Sequence, residues 1–258
     1  MQLLFAHYPH LYYFCKAIRK DIHTFLHNIN KTEARSMNNN AILLPEWANQ
    51  SAIQLTWPHE GTDWREYLDD ICATYAEMAD AITRYEKLLV VAPEPELVKK
   101  ELSKRLTSCQ LDNIIFHKCP TNDTWARDHG FITLGGDGTY TLLDFRFNGW
   151  GDKFEAALDN AINRSLYDNG VVEGTYTDLN SFVLEGGSIE SDGRGTVLTT
   201  SQCLLAPHRN QPLTRSEIEQ KLKSMLHAER ILWIDYGHLE GDDTDGHIDT
   251  LVRIAPDD

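Results

Sequence analysis

The chain has 258 residues, 41% hydrophobic and 24% charged, an ordinary globular composition able to bury a core. Its 39 acidic residues against 24 basic ones give a formal charge of -15, which disfavours nucleic acid and anionic membranes as partners and attracts small cations. Five irregularly spaced cysteines, Cys15, Cys72, Cys109, Cys119 and Cys203, argue against a disulfide framework and for reduced thiols in a cytoplasmic setting. No run is long and apolar enough to span a bilayer, and the start lacks the cationic segment of a signal peptide.

Residues 1–36 read as an N-terminal extension, rich in aromatics and histidine, with a helix around 12–29. His23 and His27 stand one helical turn apart but have no third metal ligand. Met37 opens the remainder, 37–258, in which strands and helices alternate without a dividing linker, the pattern of one α/β domain. Residues 53–57 read as a buried strand. Asp63 is the expected N-cap of an amphipathic helix running to about 85. A strand at 88–92, a helix at 94–107 and a strand at 114–117 follow. Apolar runs at 131–134 and 140–143 flank a Gly-Gly-Asp-Gly turn and predict a hairpin. Residues 152–168 read as a helix, 181–184, 188–190 and 196–200 as strands. Thr214 with Glu217 three residues on is a capping box for a helix over 214–227. Strands at 231–234 and 247–254 complete the order.

Four segments crowd polar, glycine or tryptophan residues beside an apolar strand. In 122–130, Asp128 directly precedes the strand at 131, and the plain alternative is a turn bridged by Arg127 and Asp123. In 145–151, two glycines flank Trp150, which suggests a tight backbone path. In 184–188, Glu185 ends an apolar strand, where a carboxylate needs a partner if it is buried. In 241–249, strand periodicity would set His247 and Asp249 on one face, a histidine–carboxylate pair suited to acid–base chemistry. Asp242, Asp243 and Asp245 offer a competing reading as a cation loop, and with His247 and Asp249 a metal hydrolase, although their spacing matches no EF-hand.

Together the four segments, TNDTWARD (121–128), FNGWG (147–151), LEGGSIESDGRGTVLTTSQCLL (184–205) and GDDTDGHID (241–249), resemble the agmatine deiminase and bacterial peptidyl-arginine deiminase family. LPEWANQSAIQLTWPH (44–59) is similar to that family's opening strand and loop. The resemblance implies a pentein, an α/β propeller of ββαβ repeats. It implies hydrolysis of agmatine to N-carbamoylputrescine and ammonia through an amidino-cysteine, with no cofactor and no metal. Asp128 and Asp249 would grip the guanidinium, a planar cation suited to paired carboxylates. His247 would shuttle protons, Glu185 would orient its imidazole, and Trp125 would pack on the substrate. The family's cysteine nucleophile lies in a Gly-rich segment well past this histidine, beyond Asp258. The resemblance therefore implies a C-terminally truncated chain that lacks its last blade or blades and is itself inactive. Cys203 and Cys119 read as structural thiols. Peptidyl-arginine as substrate, a non-catalytic guanidine-binding relative, and a homo-oligomer stay open.

Overall fold

The computed structural model describes residues 41–136, 138–237 and 239–256, which lie in one compact unit, Asn39–Asp258. The extension 1–36, with its expected helix and its His23–His27 pair, lies outside the described residues.

Among the described residues, three sheets and their helices make a mixed α/β fold. The described part opens with β1 (Ile42–Leu43) and β2 (Ile53–Thr56). Helix α1 (Leu68–Thr83) carries β2 over to β3 (Leu88–Ala92), and α2 (Pro95–Leu102) leads towards β4 (Ile114–Lys118). β2, β3 and β4 pair in parallel, so Leu88–Ala92 is a central strand and buries every residue, which explains its unbroken apolar run. Leu55, Leu88 and Val90 pack under Ala79 and Ile82 of α1 and Val98 and Leu102 of α2.

The predicted hairpin forms as antiparallel β5 (Ile132–Gly136) and β6 (Thr139–Arg146). β1 covers the free side of β5, and β7 (Thr175–Val183) runs parallel to β6. The same order recurs downstream. β8 (Ile189–Ser191) and β9 (Thr196–Thr200) are antiparallel, and a helix at Arg215–Met225 returns the chain to β10 (Arg230–Ile234), parallel to β9. Its Thr214–Glu217 capping box is present. One core joins these two sheets through Leu134, Phe145, Leu184, Val197, Ile218 and Leu222.

Four expected elements differ. The helix after 63 starts as a separate 3-10 turn, Arg65–Tyr67, and Asp63 caps nothing; the segment is tied instead by Trp64, whose indole donates to Thr124 Oγ1 at 3.0 Å. The 94–107 helix stops at Leu102, because Thr107 caps a new turn, Ser108–Leu111, with Gln110. The 152–168 helix breaks into Gly149–Asp152, Ala157–Asn160 and Ile162–Asp168. Positive φ at Trp150 (57°), Gly151 (85°) and Asp152 (61°) turns the chain there. Residues 247–254 are not a strand; a 3-10 turn, Ile248–Thr250, buries Ile248 instead. Among the described residues no helix is long and apolar enough to cross a membrane, and Cys72, Cys109, Cys119 and Cys203 are free.

Candidate active site

The Gly186–Ser188 turn that links β7 to β8 is the meeting point of the candidate residues. Asp128 comes to it from the short helix Ala126–His129 that opens β5, and Glu185 from the end of β7. His247 and Asp249 arrive from the segment after β10. Only a glycine fits at the centre. A β-carbon on Gly187 would lie 2.5 Å from His247 Nδ1 and 2.8 Å from both Asp128 Oδ1 and Asp249 Oδ2. These three polar groups therefore crowd one point, although 121 residues separate Asp128 from Asp249 in sequence.

Asp128 is buried, and both of its oxygens are held: Oδ1 accepts the Gly187 N–H at 3.1 Å, and Oδ2 accepts the Trp150 indole N–H at 3.1 Å. The left-handed turn at Trp150 aims that indole. The His247 imidazole spans two carboxylates, with Nδ1 3.5 Å from Asp128 Oδ1 and Nε2 3.6 Å from Glu185 Oε2. Glu185 is fully buried and is gripped by Arg209, whose Nε lies 3.1 Å from Oε1 and 3.2 Å from Oε2. Asp249 is the accessible member, its side chain 21% exposed, with Oδ2 3.9 Å from Arg127 Nε.

Burial pushes the Asp128 carboxyl above its ordinary value, with the charges of Asp249 and Glu185 adding to the rise and His247 opposing it. Burial would also raise Glu185, but its His247 and Arg209 contacts outweigh that and hold it below the usual range. For His247, burial favours the neutral ring, and the Asp128 charge with the Cys203 and Glu185 contacts overcomes it, so the imidazole titrates well above its usual value. The cluster is thus poised to hold an imidazolium between two acids.

The segment 242–247 is shaped by its own carboxylates. Asp242 Oδ1 accepts the Thr244 N–H at 2.9 Å and its hydroxyl at 2.5 Å, while Oδ2 accepts the Gly246 N–H at 2.6 Å. Asp245 pairs with Arg209 at 2.6 Å and Lys153 at 2.7 Å. Asp242 and Asp245 so engaged staple the segment into a turn. Thr244 Oγ1 then accepts the His247 N–H at 3.1 Å, and Thr200 donates to the Gly246 carbonyl at 2.7 Å.

Arg127 does not bridge to Asp123; it pairs with Glu46 at 2.6 Å. Trp125 is 41% exposed, donates to Asp123 Oδ2 at 2.9 Å, and lies edge-on to Trp150 with centroids 6.0 Å apart.

Residues 42–258 match the Porphyromonas-type peptidyl-arginine deiminase family over most of the chain. The chain belongs to that family. It is 35% identical over 214 residues to the agmatine deiminase of Ectopseudomonas mendocina, covering 80% of this chain and 55% of that one. Its fold overlays a solved cysteine-to-serine variant of the C. jejuni agmatine deiminase with substrate bound, with a TM-score of 0.75, 39% identity and coverage of 87% of this chain and 65% of that one. A solved agmatine deiminase of Enterococcus faecalis overlays with a TM-score of 0.72 at 29% identity, covering 83% and 58%. The chain spans 55% to 60% of the length of the curated relatives it matches.

Three members of this residue cluster carry no signal in the sequence. Arg209, with its side chain 0% exposed, ties Glu185 to Asp245 and to the Thr244 carbonyl at 2.8 Å, yet nothing around it in sequence marks it as buried. Trp150 reads as part of a structural turn, which it is, while its indole also serves Asp128. Cys203 is core as expected, but its Sγ also lies 3.9 Å from Glu185 Oε2.

Proposed function

We propose that this chain carries the guanidinium grip and the proton shuttle of a deiminase that hydrolyses agmatine to N-carbamoylputrescine and ammonia. The observation that carries the reading is the convergence of Asp128, Asp249 and His247 on Gly187. Two carboxylates facing one point suit a planar cation with parallel N–H pairs. Their charge keeps the guanidinium protonated and its central carbon electrophilic. A thiolate adds to that carbon, His247 protonates the departing nitrogen as ammonia, and a water activated by His247 hydrolyses the amidino-thioester-like adduct. Glu185 holds the ring for both steps, and Trp125 lies flat on the substrate's alkyl chain and cation.

The attacking thiolate is none of the described cysteines in this reading. Cys203 adjoins His247, but it is 0% exposed and burial raises its thiol above the ordinary value, both unfavourable for a nucleophile. The pentein propeller belongs to the same proposal, supported by the repeated order of hairpin, helix and parallel strand in β5–β7 and β8–β10.

Calorimetric titration of the purified chain with agmatine tests the reading. One saturable site is expected, lost in Asp128→Ala and in Asp249→Ala, and not filled by 1,4-diaminobutane, which lacks the guanidinium. Folded wild-type protein without such a site, or with one indifferent to both substitutions, would overturn it. Tighter binding of a short arginine peptide than of agmatine would move the substrate to peptidyl-arginine.

A further inference from the structure

Cys203 has no part in the chemistry above, yet it completes a set of donors around one carboxylate oxygen. Glu185 Oε2 lies 3.9 Å from Cys203 Sγ and 3.6 Å from His247 Nε2, and the three ligand atoms all fall within 4.8 Å of one another. All three residues are buried, and His247 Nε2 has no hydrogen-bond partner. Its nearest acceptor, Glu185 Oε2, stands at 3.6 Å, just beyond hydrogen-bond range, so a tighter partner for its lone pair or its proton is favourable there.

The spacing matches a known coordination chemistry. Tetrahedral zinc holds a thiolate at about 2.3 Å and imidazole nitrogen or carboxylate oxygen at about 2.0–2.2 Å, which sets neighbouring donor atoms roughly 3.3–3.6 Å apart. The two separations from Glu185 Oε2, 3.9 Å to Cys203 Sγ and 3.6 Å to His247 Nε2, need to close by only a few tenths of an ångström, and the third pair already lies within 4.8 Å. The surroundings match as well. Zinc-bound histidines commonly turn their other ring nitrogen to a carboxylate, which fixes ring and tautomer. His247 Nδ1 faces Asp128 Oδ1 at 3.5 Å. Arg209 orients Glu185 and occupies one lone pair on each oxygen, leaving Oε2 a second one. Asp128, Glu185, Asp245 and a Cys203 thiolate together outweigh the Arg209 cation, so a divalent charge is accommodated. The thiolate selects zinc or cadmium over magnesium or calcium.

We propose that Glu185 Oε2, Cys203 Sγ and His247 Nε2 form a binding site for a zinc-class divalent cation, and that an ion there stops the proton shuttle. Binding forms metal–oxygen, metal–sulfur and metal–nitrogen bonds and releases the Cys203 thiol proton, with the Nε2 proton when the ring is an imidazolium, to solvent. No oxidant or reductant is involved. The site itself stands apart from the deiminase reading; only its inhibitory consequence rests on it.

The test loads the chelator-stripped chain with cadmium and follows thiolate-to-metal charge-transfer absorption. One equivalent is expected to bind, the band to vanish in Cys203→Ser, and the band to persist in Cys72→Ser and Cys109→Ser. Asp128→Asn, which removes the carboxylate behind His247, is expected to weaken binding about 10–100-fold. X-ray absorption of the zinc-loaded wild-type chain needs no variant: one sulfur at about 2.3 Å with nitrogen or oxygen at about 2.0–2.2 Å is expected. Nitrogen and oxygen alone, or a band that follows Cys72 or Cys109, overturns the proposal. Agmatine binding that survives while metal binding fails sinks this inference alone; the reverse outcome sinks only the deiminase reading.

Discussion

Gly187 donates its backbone N–H to Asp128 Oδ1 at 3.1 Å, and a β-carbon at the same residue would crowd that oxygen at 2.8 Å and His247 Nδ1 at 2.5 Å. The turn therefore both anchors and spaces the acid cluster. Gly187→Ala places a methyl against His247 Nδ1, Asp128 Oδ1 and Asp249 Oδ2 at once, and the first two belong to buried side chains held by other partners. We expect a destabilisation of about 1–3 kcal/mol by overpacking. Agmatine binding should be lost with it. Denaturant unfolding beside calorimetry checks both, and binding within a few-fold of wild type would show that the cluster does not need its spacing.

Much of this site was legible because each acid sits where polarity interrupts an apolar strand. Asp128 precedes β5 and Glu185 follows β7, and the rule that buried carboxylates need partners picks out both. His247 and Asp249 were paired for the wrong local reason. Strand alternation was expected to align them, whereas a 3-10 turn does so while the Asp242-stapled turn holds His247. Short-range patterning cannot distinguish these, because the choice depends on whether a neighbouring strand is there to pair with. Arg209 was invisible for a related reason: its partners Glu185 and Asp245 lie 24 and 36 residues away, and a single arginine in a loop carries no sign of burial.

Removing the Arg209 cation should leave Glu185 buried and unpaired. Arg209→Met keeps an unbranched stem of similar reach as far as Nε and loses every hydrogen bond to Glu185, Asp245 and Thr244. Breaking a buried pair from one side costs about 3–5 kcal/mol. Adding Glu185→Leu to Arg209→Met should recover much of that loss, since the stranded charge is gone, while agmatine binding stays weak because His247 has lost its support. Urea unfolding of both variants decides the matter. A double variant no more stable than Arg209→Met would mean that the arginine acts through Asp245 and the 242–247 turn instead.

Asp123 sets a pH dependence visible through tryptophan. Burial raises its carboxyl from 3.8 to about 6, the Trp125 indole bond opposes the rise, and the Asp63 charge adds to it. Its Oδ1 is buried without a partner. The unfolded chain ionises this acid near 3.8, whereas the folded one waits until about 6. Its contribution therefore favours folding below the unfolded value and is lost as pH rises between the two. Asp123→Asn should match wild type near the lower limit and be more stable above the upper one, by at most about 3 kcal/mol. Trp125 emission should titrate with a midpoint near 6 in wild type and stay flat in the variant. A flat wild-type profile would mean that Asp123 is ionised throughout.

Trp125 and Trp150 are neighbours with separate duties, and matched substitutions separate them. The Trp150 indole donates to Asp128 Oδ2 at 3.1 Å, while that of Trp125 donates to Asp123 Oδ2 at 2.9 Å. Phenylalanine keeps an aromatic face at either position. Trp150→Phe retains edge contacts of the kind made now to Phe147 at 5.2 Å and Phe154 at 5.5 Å, but frees one oxygen of the gripping carboxylate. A hydrogen bond to a charged group contributes about 1.5–3 kcal/mol, so agmatine affinity should fall roughly 10–100-fold. Trp125→Phe keeps a ring over the substrate and should stay within a few-fold of wild type, whereas Trp125→Ala should lose about 0.5–2 kcal/mol of cation–π attraction. Calorimetry with agmatine measures all three. Equal losses in the two phenylalanine variants would mean that the aromatic cluster acts as one packing unit and that the Trp150 donor has no special bearing on Asp128.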